Sequence, residues 1–193
     1  MKLARTTLAA LTTAAALLAL AAPASARECE GIKFPESVTV EGTKLVLNGL
    51  GIREATVFNV NVYVAGLYVE QKAPSASAHL DATGPRRLVL HFVRDVDKAD
   101  ITGAFTEGFK NSGKAGALGA TIAKLIAMVP DAKDGAEWTF TYVPDKGMEV
   151  KIGGAVKGTL EGADFFRAFL GIWLGPKPPN TGLKKGLLGG SCG

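Results

Sequence analysis

The stretch from Thr56 to Glu70 constrains this chain most, because the residues of one parity, Phe58, Val60, Val62, Val64 and Tyr68, are all apolar or aromatic. Those of the other parity, Asn59, Asn61, Tyr63 and Ala65, are mixed. A period of two is the pleat of a β-strand, whose successive side chains point to opposite faces. The spacing therefore predicts one long strand with a fully apolar face and a mixed face. The preceding segment, Thr43 to Ile52, alternates more loosely around Leu45, Leu47 and Leu50. Gly49 and Gly51 imply a bend there, or close approach of another backbone. A shorter run of strand type, Leu88 to Val93, ends at Arg94-Asp95.

The period then changes. Ile101, Phe105 and Phe109 recur every four residues behind Asp97, a residue suited to a helix cap, and Leu118, Ile122, Leu125, Ile126 and Val129 continue the pattern. Two helices are expected, parted near Asn111-Ser112-Gly113 and stopped by Pro130. Strands return at Glu137 to Val143, Met148 to Ile152 and Ala155 to Leu160, joined by Pro144-Asp145-Lys146-Gly147 and by Gly153-Gly154, both with turn chemistry. An aromatic helix, Ala163 to Leu174, a proline-rich link and a short amphipathic tail, Thr181 to Leu188, close the chain. Strands grouped in hairpins with segregated helices indicate an α+β fold, not a parallel α/β sheet. No repeat or low-complexity linker interrupts residues 31 to 190, so one domain is expected.

The first 26 residues stand apart. Lys2 and Arg5, the apolar run Leu8 to Ala22 and the small residues Ala24-Ser25-Ala26 form the pattern of a cleaved secretory signal, which leaves residues 27–193 as the mature domain. The alternative, a membrane anchor, calls for about 20 apolar residues, and this run is shorter and rich in alanine. Removing the signal takes two of 22 basic side chains and none of the 18 acidic ones, so the formal charge falls from +4 to +2. Much of the basicity belongs to the leader, and a nucleic-acid partner is not expected without a basic stripe. A periplasmic or secreted location is expected, with no integral membrane span after cleavage. In such an oxidising compartment the two cysteines, Cys29 and Cys192, either close a disulfide across nearly the whole chain or remain free thiols on the two ends. Closure of so long a loop stabilises by about 5 kcal/mol at most. Neither cysteine has metal-ligand spacing, and no metal or cofactor site is expected.

Familiar catalytic signatures are missing: the chain has no G-x-S-x-G elbow. Gly153 to Thr159 has no lysine at the phosphate-loop position, Lys157 preceding Gly158 instead of following it, and reads as a hairpin. His91, inside an apolar strand, reads as structural. Arg53 differs. It follows Gly49-Leu50-Gly51-Ile52 at the approach to the long strand, where a permanently charged fork suits a carboxylate or phenolate. The plainer alternative is a solvated turn arginine paired with Glu54.

The segments GLGIREATVFNVNVYVAGLYVE (49–70), RRLVLHFVRDV (86–96) and FFRAFLGIWLGPKPPNTGLKKGLLG (165–189) resemble the chalcone isomerase-like family. The resemblance implies an open-faced β-sandwich, a large antiparallel sheet covered on one side by a helical layer. It also implies that Arg53 matches the family arginine that contacts a substrate phenolate in the isomerases and a ligand carboxylate in the fatty-acid binders. Tyr63 falls where the fatty-acid-binding relatives place a carboxylate-binding tyrosine and the plant isomerases a threonine. No match to the isomerases' second-helix tyrosine and asparagine is found. The resemblance thus implies a non-catalytic binder of a small amphipathic anion such as a fatty acid, with Arg53 and Tyr63 on the head group and Phe105 and Phe109 as candidate lining. The alternatives are an intramolecular lyase with Arg53 on the oxyanion, and an interaction protein with a closed cleft.

Spacing bears on the Arg53–Tyr63 pair. With a tight turn at residues 54 to 57, Tyr63 lies about five residues, or roughly 16 Å, along its strand from the position opposite Arg53, a gap that two long side chains span in large part and that a bulge or bend at Gly51 shortens. A later turn is expected to separate them further. For Tyr63 the plain alternative is an ordinary strand tyrosine at the sheet edge. For Phe105, Phe109, Phe165, Phe166, Phe169 and Trp173 it is simple packing, since their helical spacing is what any core helix needs.

Overall fold

The computed structural model describes residues 26–55, 60–113 and 116–192. The expected signal, apart from Ala26, lies outside them, as do Thr56, Phe58 and Asn59 of the expected strand. Among the described residues a two-stranded hairpin, β1 (Ala26–Cys29) and β2 (Ile32–Pro35), precedes a larger sheet. The sheet comprises β3 (Ser37–Val40), β4 (Thr43–Ala55), β5 (Val60–Val69), β6 (Arg86–Phe92), β7 (Glu137–Val143), β8 (Gly147–Ile152) and β9 (Ala155–Leu160). Each strand pairs antiparallel with its neighbours in sequence, giving a seven-stranded meander. Helix α1 (Ala76–Leu80) lies between β5 and β6, α2 (Lys98–Asn111) and α3 (Gly119–Met128) between β6 and β7, and α4 (Ala163–Leu174) and α5 (Thr181–Leu187) after β9. The expected α+β architecture is the one observed.

Local chemistry accounts for the joints. Gly153 and Gly154 carry φ of 56° and 83°, the positive pair that a tight hairpin between β8 and β9 requires. Asp97 occupies the cap position of α2 but makes no side-chain cap bond; the Lys98 amide instead donates to the Asp131 carboxylate at 2.8 Å. A bulge between Leu47 and Gly49 lets Leu45, Leu47, Leu50 and Ile52 all face one side of the sheet. Asn48, the extra residue, is buried; its amide donates to the Leu187 carbonyl at 2.7 Å and its carbonyl accepts from the Ala73 amide at 2.9 Å.

Two cores flank the sheet. On the helical side, Ala65, Leu67, Leu88, Leu90, Phe92 and Phe140 pack against Phe105 and Phe109 of α2, Ile122 and Leu125 of α3, and Phe165, Phe166, Phe169 and Trp173 of α4. The opposite face is covered locally by the β1–β2 hairpin, whose Phe34 and Cys29 join Leu45, Leu47, Val64 and Tyr68. This corrects the expectation for the long strand. The parity carrying Tyr63 and Ala65, taken as the mixed face, packs on the larger aromatic core, and Val64 to Val69 are buried on both faces. Apolar residues at Leu67 and Val69 continue that parity, whereas Val60 at the strand start is exposed. Cys29 and Cys192 are joined, with their Cα atoms 5.9 Å apart.

Candidate functional site

The helix-facing parity of β4 carries Gly49, Gly51 and Arg53, and the consequence of two glycines there is direct. A Cβ on Gly49 would collide with the Gly186 carbonyl oxygen, and one on Gly51 with that of Leu183. Helix α5 therefore lies with its backbone against the bare strand, the close approach that the glycines imply. Asn180, just before α5, donates to the Ile52 carbonyl at 3.0 Å, and its own side-chain oxygen is buried without a hydrogen-bond partner. These contacts fix the strand one residue before Arg53.

Arg53 and Tyr63 are cross-strand partners in the β4–β5 register. This overturns the expected separation. Ala55 pairs with Val60, so the chain reverses later than residues 54 to 57, and a bulge between Arg53 and Glu54 shifts the register onto Tyr63. The later reversal brings the two residues together instead of parting them, and directly opposed side chains share one face. Arg53 is partly buried, and its guanidinium donates to the Glu54 backbone carbonyl. The tyrosine is also partly buried, and its hydroxyl accepts from the Trp173 indole N–H of α4 at 2.9 Å. Its ring meets Phe92 edge-on, with centroids 5.6 Å apart.

The electrostatics define what the pair does chemically. Burial pushes the Tyr63 phenol up to about 12, against the opposing pull of the Trp173 hydrogen bond and the Arg53 charge. At neutral pH the hydroxyl keeps its proton and can donate it. A charged fork and a neutral hydroxyl donor on one face suit an oxyanion. Tyr63 is no general base near neutral pH.

Phe105 and Phe109 sit elsewhere in the same layer. Phe105 is 4% exposed and meets Phe140, Phe169 and Trp173; Phe109 is fully buried against Phe165 and Phe169. Their rings are occupied by one another, the packing alternative set out for them. Phe105 meets the site residue Trp173, with ring centroids 6.2 Å apart. Trp173 and Asn180 are the site residues that sequence reasoning did not assign. The helical spacing of the indole reads as packing, and an asparagine after two prolines carries only a turn signal.

Fold and site together define an α+β protein with an antiparallel meander, one helical layer and a cross-strand arginine–tyrosine pair beneath it. The sequence matches the family described as chalcone isomerase-like over residues 26–189, and the chain belongs to that family. Among solved structures it is similar to the crystal structure of a fatty-acid binding protein from Arabidopsis thaliana. The two share 17% identity with a TM-score of 0.71, over 85% of this chain and 96% of that one. Comparison with curated protein sequences gives no match.

Proposed function

We propose that this protein is a non-catalytic binder of a small amphipathic anion such as a fatty acid, working in the periplasm or outside the cell. The observation that carries the reading is the register that sets Arg53 opposite Tyr63 on the helix-facing side of the sheet. Arg53 holds the anionic head through charge-assisted hydrogen bonds. Tyr63, oriented by the Trp173 indole, donates a second bond. The fatty-acid binder from Arabidopsis lends support through a shared fold, although a fold alone hosts many functions. The apolar tail lies between α4 and the sheet. Trp173 and Phe105 fill that space in the packed state, so entry of a tail parts the helix from the strands.

The compartment rests on the leader-like first 26 residues and on a disulfide that persists only where thiols are oxidised. Among the described residues no helix is long and apolar enough to cross a membrane.

Native mass spectrometry of protein purified from its own compartment tests the reading. Wild type is expected to carry a bound carboxylic acid that Arg53→Ala loses; a wild-type protein without any bound small molecule contradicts it. A second reading, an interaction protein with a closed cleft, is favoured by the mutual packing of Phe105, Phe109, Phe169 and Trp173. It predicts neither a retained ligand nor turnover. Cyclisation of a chalcone by wild type and not by Arg53→Ala would establish the isomerase instead.

A further inference from the structure

A cavity of about 100 Å³ lies on the face of the sheet opposite the Arg53–Tyr63 pair, beneath the β1–β2 hairpin. Arg87, Val89 and His91 of β6 and Thr139 of β7 line it from the sheet, and Lys33 and Phe34 of β2 line it from the hairpin. Neither Arg53 nor Tyr63 borders it.

Arg87 is the first indication of an occupant. It is partly buried on an interior strand, and its Nε donates to the Thr141 hydroxyl at 2.8 Å. Among the described residues no carboxylate forms an ion pair with it. Burial lowers its pKa, and the charges of Glu149, Tyr68 and Glu137 oppose that only in part. A partly buried guanidinium without a paired anion is costly, and a bound anion offsets the cost.

The surrounding charges point the same way. Lys33 and Arg87 border the cavity against one carboxylate, Glu137, which is exposed and accepts from the Thr139 hydroxyl at 3.4 Å. Lys33, Arg87 and Glu137 together give the lining one net positive charge.

The hairpin is also held in place before any ligand arrives. The Tyr68 hydroxyl donates to the Pro35 carbonyl at 3.0 Å, and the Phe34 ring is buried over Gly66. Cys29, at the end of β1, is bonded to Cys192. Such preorganisation lowers the ordering cost of binding.

Size selects the guest. At about 30 Å³ per water the space holds roughly three waters, or an acid of about six heavy atoms. Phe34, Val38 and Val89 supply an apolar side for a short alkyl group. The geometry points to a second ligand site, for a short-chain carboxylate, under the amino-terminal hairpin and separate from the Arg53–Tyr63 pair.

Residue-resolved NMR titration of the oxidised protein with isobutyrate, and with uncharged isobutyramide, tests this. Saturable shifts centred on Arg87, Val89, His91 and Thr139 are expected, with the amide at least tenfold weaker. Arg87→Met is expected to weaken isobutyrate at least tenfold, whereas Arg53→Ala leaves it unchanged. Should Arg87→Met not fold, Lys33→Gln on the exposed hairpin is expected to weaken binding at least twofold, and the acid–amide comparison on wild type still decides. Scattered or unsaturable shifts, equal binding of the amide, or shifts centred on Arg53 and Tyr63 overturn the proposal. Because the two sites lie on opposite faces, failure of either leaves the other standing.

Discussion

Tyr63 is held neutral by its surroundings, and the sign of that effect is measurable. A phenol whose folded pKa rises to about 12 from an ordinary 10.0 gives stability that is fully present below pH 10. That stability is lost as pH climbs from 10 towards 12, because only the unfolded chain ionises there. Phenolate absorbance followed through this range should show Tyr63 ionising late, and Tyr63→Phe should flatten the alkaline stability loss. The same substitution leaves the Trp173 N–H without its acceptor, at about 1 kcal/mol. His79 behaves oppositely. It is buried, bonded to the Ala73 carbonyl at 2.8 Å, and burial lowers its pKa from 6.5. Stability is thus expected to fall as pH drops below about 6.5, where the unfolded histidine takes up a proton and the folded one resists. Denaturant midpoints at pH 7.5 and 5.5 check this, and the difference should shrink in His79→Gln. Both site residues were legible in the sequence through residue type and family resemblance. Their juxtaposition was not, because it depends on a reversal beyond Ala55 and on one bulge. A bulge leaves no periodicity to read.

At the scale of elements, α5 is seated by absent side chains. A Cβ on Gly186 would meet the Leu50 carbonyl, so Gly186→Ala should cost roughly 1–3 kcal/mol as overpacking and lift the helix from β4. Gly103, exposed on α2 with open space where a Cβ would stand, is the control. Gly103→Ala should stabilise by up to about 1 kcal/mol through helix propensity. Chemical denaturation of the two variants checks both signs. The long elements were readable because each shows its own period over enough residues: α4 spans the expected Ala163–Leu174, and β9 the expected Ala155–Leu160. Strands β1, β2 and β3 have four residues each and α1 has five, too few for a period to emerge. The two faces of β5 were misjudged because its exposed start, Val60, is apolar, and its aromatic core contact, Tyr63, is polar at the tip.

At the scale of the whole molecule, the first hairpin meets the carboxyl-terminal tail. The Cys29–Cys192 bond closes a separation of 163 residues and pins the hairpin to the carboxyl-terminal tail. Replacing both cysteines by serine should cost roughly 2–5 kcal/mol, read as a lower denaturation midpoint that wild type reproduces only under reducing conditions. The α+β class followed from the order of periods along the chain, and the large sheet with its helical layer from the family resemblance. The partial cover of the second face did not, since a four-residue hairpin shows its role only where it lands. We propose that the helix-facing side of β4 and β5 receives an anion. Calorimetric titration of wild type and Arg53→Ala with a long-chain fatty acid tests it most directly. Saturable binding by wild type, weakened at least tenfold in the variant, is the predicted result. Equal affinities, or no heat from a folded wild-type protein, would contradict it.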